Sequence, residues 1–269
     1  MKEPLQFNRP WGVAITDRAI RADNPSIGKL SLLFPAGARP RVDDIDRLVA
    51  GPVREGIGFT ISHRPHPPEG WLELLAQGLT FDCTGLHPGE SAPLPPAELF
   101  YGLEPARAQE DLASVTLAPG PHLAAGASLQ PLVRILAALG ARMASLPNVV
   151  AVGWHPAGTW IEPQYFIRSV NEWLAGGAFP ALGLTALHRR EDGALVSRGL
   201  RFLIGQEIEL SVPAKISPAD AARLAVRLIH GLVESGPITE PTSLAGPGGE
   251  QIEAEPDEKA GLVRVRVFH

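Results

Sequence analysis

Cysteine, lysine and long apolar runs are the scarce components of this 269-residue chain. Its single cysteine, Cys83, excludes an internal disulfide, so the sequence predicts a reducing home, with the cytoplasm the simplest. No stretch approaches the roughly 20 consecutive apolar residues that a membrane span needs. The opening stretch MKEPLQFNRPWGVAI lacks the apolar run of a signal peptide. A soluble protein without membrane partners is expected. Basic residues number 24 against 29 acidic ones, and only four of the 24 are lysine. They are scattered, with no basic stripe interleaved with aromatics, so nucleic acid is not an expected partner. The arginine bias, with abundant alanine, glycine and proline, fits a GC-rich bacterial genome.

Common catalytic signatures are missing too. Gly56-Ile57-Gly58 precedes a strand instead of following one and has no third glycine, so it is not a dinucleotide fingerprint. There is no phosphate loop, nucleophile elbow, paired-histidine zinc helix or calcium loop. No cofactor is expected.

What is present is an alternation of short apolar runs and amphipathic stretches. KLSLLF (29–34), GIGFTISHR (56–64) and LTFDCTGL (79–86) read as strands, RVDDIDRLVAGPV as a helix with Val42, Ile45, Leu48 and Val49 on one face, and WLELLAQ (71–77) as a short helix. Proline, glycine and charge dominate 88–112, which reads as a connection between an N-terminal unit (1–87) and a C-terminal one (113–269). In the latter, Leu132, Ile135, Leu136, Leu139 and Met143 follow helical spacing, NVVAVGWH is an apolar strand, and Pro163 opens a helix with Phe166, Val170 and Trp173 inside. ALGLTALHR and ALVSRGLRFL flank Asp192-Gly193, a hairpin signal, and QEIELSV continues the sheet. Ser217 and Pro218 open a further helix, and GLVRVRVFH alternates as a half-exposed final strand. The expected fold class is α+β, with mixed, largely antiparallel sheets and packed helices. A loose echo between GPVREGIGFTI and ASLPNVVAVGW raises two similar β-α-β-containing halves.

The candidate chemistry lies in four places. In FDCTGLHPGES, Cys83 sits mid-strand and His87 comes four positions on, roughly 10 Å or more away in an extended chain, so the pair makes no dyad and Cys83 reads as a buried structural thiol. His63 and His66 have ligand-like spacing and with His87 could furnish a zinc set, against a solvated proline-rich loop. Glu207 and Glu209 alternate along a strand and share a face, a separation suited to acid-base work or to a plain wet face. Trp154, His155, Trp160 and Tyr165 gather after an apolar strand, as a pocket lining or a core edge.

The C-terminal half, about residues 113–268, resembles a bacterial family known as domain of unknown function 4261. Its members carry a strand ending in tryptophan, a helix, a hairpin, then a threonine, a glycine-leucine pair, a phenylalanine, a glycine and two alternate glutamates. Here VVAVGW ends at Trp154, and in SRGLRFLIGQEIE the residues Gly199, Leu200, Gly205, Glu207 and Glu209 match, with Ser197 at the threonine position and Leu203 at the phenylalanine. The tail GPGGEQIEAE departs from the family's glycine-aspartate-threonine turn. The resemblance implies no known activity.

Two functions are expected. One is non-catalytic binding of another protein or a small ligand. The other is a hydrolase-like enzyme using Glu207 and Glu209 with His155 or His188. The final strand VRVRVF is expected to be exposed at an edge, where it could join a homodimer, although alternating arginines also keep edges apart.

Overall fold

The computed structural model describes residues 28–66, 69–246 and 249–268. The opening stretch read for a signal run lies outside them. In chain order the elements are β1 (Leu30–Pro35), α1 (Val42–Ala50), β2 (Thr60–His63), β3 (Trp71–Ala76), β4 (Leu79–Thr84), β5 (Leu99–Tyr101), β6 (Leu112–Pro119), α2 (Gln130–Met143), β7 (Ala151–Trp154) and β8 (Thr159–Ile161). They continue with α3 (Pro163–Leu174), α4 (Ala181–Leu184), β9 (Ala186–Arg189), β10 (Leu195–Arg198), α5 (Leu200–Ile204), β11 (Glu207–Ser211), α6 (Pro218–Ser235), β12 (Thr242–Ala245), β13 (Gln251–Asp257) and β14 (Leu262–Phe268). The fold is α+β. An eight-stranded sheet runs β2-β3-β4-β6-β1-β7-β8-β5 and a six-stranded sheet runs β12-β13-β14-β11-β10-β9. Pairing is antiparallel except at β5–β8 and β11–β14. Among the described residues no helix is long and apolar enough to cross a membrane.

β1 sits inside the first sheet, with β6 on one side and β7 on the other. Its alternation sends Leu30, Leu32 and Phe34 into the main core, beneath α2, and Leu33 into a smaller cluster with Ala151 and Trp160 on the rear face. α2 comes close because Gly140 has no side chain: a Cβ there would lie 2.6 Å from Leu30 Cδ1. Arg142, buried on the same helix, donates to Leu48 O at 2.7 Å and Gly51 O at 3.3 Å. A cation thus satisfies carbonyls at the C-terminal end of α1, where the helix dipole favours positive charge. α3 begins as expected at Pro163, with the Glu162 carboxylate accepting from the Gln164 and Tyr165 N–H groups. α6 begins at Pro218, with Ser217 Oγ accepting from Asp220 N–H.

Four expectations change. WLELLAQ is strand β3, not a helix: Leu72, Leu74 and Ala76 alternate inward, and Gln77 (φ 49°) and Gly78 (φ 80°) make the tight turn into β4. The run ALVSRGLRFL stops being a strand at Arg198, where Gly199 (φ 84°) turns the chain into the short α5. The expected division at 88–112 does not separate two sheets. β6 pairs with β1 and β4 from the N-terminal side, and the connection itself supplies β5. It is pinned across the rear face, with Ala92 N–H donating to Ser114 O at 3.0 Å, Ser114 N–H to Ser91 Oγ at 2.9 Å and Trp160 Nε1 to Pro95 O at 3.3 Å. The two echoing stretches lead into β2 at an edge and β7 inside the same sheet. Finally, β14 is not an edge. It lies between β13 and β11, so both its sides are already paired and the expected dimer through VRVRVF has no free strand to use.

The loop at 51–59 is held by Gly56 (φ 59°), whose N–H donates to Asn171 Oδ1 at 2.9 Å and whose missing Cβ would collide with Ala138 O on α2. Gly37 (φ 79°) has the same backbone constraint in open space. In urea titrations Gly37→Ala should cost about 1–2 kcal/mol for the left-handed backbone alone. Gly56→Ala should add about 1–3 kcal/mol for the forced shift against α2. Equal costs would show that the loop does not press on the helix.

Candidate functional site

The centre of the first sheet holds a polar group that the sequence does not announce. In register, Ser31 stands opposite Thr116 on β6 and Gly153 on β7. Its Oγ lies 2.7 Å from Thr116 Oγ1 and 2.8 Å from His155 Nε2. His155 comes directly after β7 in a short 3-10 turn, its N–H fixed to Lys29 O at 3.1 Å. Serine bonded to a histidine ring nitrogen is the arrangement of an activated nucleophile. Two features oppose that use. Ser31 has no exposed surface. Burial, reinforced by the Lys29 charge, pushes the His155 imidazole down to about 4, which leaves it neutral and a poor base near pH 7. The trio closes the hydrogen bonding of a buried serine.

The aromatic group divides across the sheet. Trp154, fully buried, enters the main core and meets Phe202 edge to face at 5.8 Å. Trp160 faces the opposite side with Phe100 at 5.9 Å. Tyr165, on α3, packs on Tyr101 at 4.4 Å. Trp154, His155, Trp160 and Tyr165 therefore do not line one pocket. The alternation of β7 and β8 separates the two indoles.

Glu207 and Glu209 share a face of β11 as expected, but they are engaged in different work. Glu207 turns to the start of α5, accepting from Ser197 Oγ at 2.5 Å, Leu200 N–H at 3.2 Å and Arg201 N–H at 3.1 Å. Burial raises its pKa and these donors offset part of the rise. Glu209 pairs with Arg190 at 2.6 Å. His188 lies two strands from Glu209 through Val196, about 10 Å across the sheet. Its pKa is lowered by burial and by Arg198 and Arg190, and Arg198 is in turn bonded to Glu98. His155 is bonded in the other sheet. The structure thus places Glu207, Glu209 and His155 in three separate hydrogen-bonded groups.

The histidines at 63, 66 and 87 do not form a ligand set, since no group of three metal-binding side chains exists among the described residues. His63 stacks on Trp71 at 5.2 Å. His87 is held by its backbone N–H to Pro40 O at 2.9 Å, and its ring Nδ1 is buried without a partner. Strand β2 and the bridge at Arg41 hold His63 and His87 in different surroundings. Cys83 is buried, and burial with the Asp82 charge pushes its thiol up to about 12, which makes it the structural thiol expected of a mid-strand position.

One surface feature remains open. β12 forms a sheet edge, all four of its residues are exposed, and its register with β13 is unbroken from Thr242↔Ala254 to Ala245↔Gln251. A shallow groove beside it is lined by Thr242, Ser243, Glu253, Glu255, Arg264 and Arg266. Sequence patterning does not reveal this strand, because TSLA is short and falls in a glycine- and proline-rich stretch.

Glu207→Gln is expected to lower stability by about 1–3 kcal/mol, because an amide sets a donor against backbone donors. Glu209→Gln, which releases a half-exposed pair, should cost under about 1 kcal/mol; urea midpoints separate the two. His155 makes stability depend on pH. Its folded pKa lies below the usual 6.5, so between 6.5 and about 4 the unfolded chain binds the extra proton. Stability is then full above 6.5 and falls as pH drops toward 4. Thermal melts should show this slope in the native chain and a shallower one in His155→Gln. No protein-family model matches the chain, and no curated protein or solved structure matches it.

Proposed function

We propose that the protein is non-catalytic and works by binding, taking an extended segment of polypeptide along the free edge of β12. The observation that carries this reading is the state of that edge: four exposed residues, no charged side chain, no bulge and, among the described residues, no strand paired on the outer side. Natural sheets usually guard such edges with charge, proline or a bulge. The other edges here show guards or cover. β2 carries a bulge between Ile61 and His63, β5 is three residues long, and β9 buries two of its four residues. Strand addition draws affinity from main-chain hydrogen bonds and specificity from neighbouring side chains, which the groove beside β12 supplies.

The engagement of Ser31, His155, Glu207 and Glu209 in structural bonds favours this over the hydrolase reading. Nucleic acid is a poor partner for a surface where Glu253 and Glu255 alternate with Arg264 and Arg266. A cytoplasmic setting suits a lone, buried cysteine.

The test is a photo-crosslinking residue at Ala245 in cells that make the protein. Cross-links to polypeptide are expected from this position and not from Gly193 at the β9–β10 turn, and Ser243→Pro in the same chain should abolish them. Cross-linking unchanged by Ser243→Pro would overturn the reading. So would a chemical turnover that Glu207→Gln or Glu209→Gln removes from a folded protein.

A further inference from the structure

Resting on that strand-addition reading, we infer that the segment β12 receives is β12 of a second copy of this chain, joined about a two-fold axis centred on Leu244. The hydrogen-bond alternation of the β12–β13 hairpin gives the geometry. Gly246 N–H donates to Glu250 O at 2.8 Å, and the register continues through Ala245↔Gln251 and Leu244↔Ile252. In an antiparallel pair, bonded and non-bonded positions alternate. Thr242 and Leu244 therefore turn their backbone groups toward β13, and Ser243 and Ala245 present theirs to the open edge.

A two-fold axis perpendicular to the sheet keeps each face on its own side, so like-facing residues must meet. Centred on Leu244, it sets Ser243 of each copy against Ala245 of the other. Each such pair exchanges two bonds, so the two pairs make four backbone hydrogen bonds using residues of β12 alone. Centred on Ser243, it makes one fully bonded pair and sets Ala245 against Pro241, whose carbonyl can accept but which has no N–H to give, so the Ala245 carbonyl of each copy goes unbonded. The first register is favoured because it leaves no outward-facing N–H or C=O of Ser243 or Ala245 unbonded.

Side chains favour it too. Leu244, 38% exposed, lies on the apolar face of the sheet beside buried Ile252. At the axis it meets its own copy in the non-bonded type of pair, where side chains approach most closely. β12 carries no charge, so the self-opposed register brings no like charges together. Two short strands and two leucines make a small interface, so the dimer is weak and concentration-dependent.

The axis residues would stand about 4.5 Å apart at Cα, within the span of a disulfide. Purified Leu244→Cys, oxidised with diamide, should give a covalent dimer that dithiothreitol reverses. Thr242→Cys and Ser243→Cys should form no covalent dimer, and Cys83 is buried and contributes nothing. Sedimentation velocity of the unmodified chain should show dimer growing with concentration, and Leu244→Lys should abolish it by placing two ammonium groups face to face while the thermal midpoint stays near native. Cross-linking through Ser243→Cys would overturn the register. A chain that stays monomeric at millimolar concentration, with Leu244→Cys unlinked, would overturn self-pairing while cross-links from Ala245 to other polypeptides kept strand addition standing.

Discussion

The first sheet depends on one constraint: β1 is buried on both faces, so everything along it must be absorbed by the elements that pack against the sheet. On the core side α2 comes close enough to cover Leu30 because position 140 is glycine. On the rear side the cover comes from the proline-rich connection, which drops Pro95 onto Gly153, where a side chain would have no room. Ser31 is the residue that neither apolar cover satisfies. A hydroxyl left unbonded there costs on the order of 1–3 kcal/mol, and Thr116 on β6 and His155, in the turn that follows β7, meet that demand from the two sides. The connection and the polar trio are two answers to the same burial.

That origin decides what the chemical groups can do. A catalytic base needs a pKa near the working pH and a path to a substrate proton. His155 has its proton affinity lowered by the same burial that makes it useful to Ser31. The second sheet repeats the pattern with an acid. The N-cap position of α5 is Gly199, which has no side chain to offer, and the Glu207 carboxylate takes up the helix's first N–H groups together with the Ser197 hydroxyl. The glutamate pair that resembles acid-base machinery in sequence is a brace at 207 and an ion pair at 209.

Local patterns in the sequence specify local structure here. The apolar run at 29–34, the helical spacing from Leu132 to Met143, and the openings at Pro163 and Pro218 each predict the element that forms, because periodicity and end residues act over a few positions. β3 escapes that logic through Gln77. A non-glycine residue with positive φ hides the two-residue turn that pairs this run with β4, and WLELLAQ taken alone reads as a short helix. The Ser31 trio is illegible for a different reason. Thr116 and His155 are separated from Ser31 by 85 and 124 positions, and nothing but the sheet order brings them together. The same order splits Trp154 from Trp160, six residues apart, onto opposite faces.

The edge of the second sheet shows how nonlocal order can reverse a sound local argument. Alternating arginines in VRVRVF read as the guard of an exposed strand. In the sheet, Arg264 and Arg266 instead face Glu255 and Glu253 of β13 in register, with Arg264 also bonded to Asp257 at 2.8 Å. Their charges are rungs between interior strands, where opposite signs opposed across a ladder add stability. On the β13 side the edge falls to β12, which is short and uncharged, and its one large apolar side chain, Leu244, is the part of that edge that water serves least well.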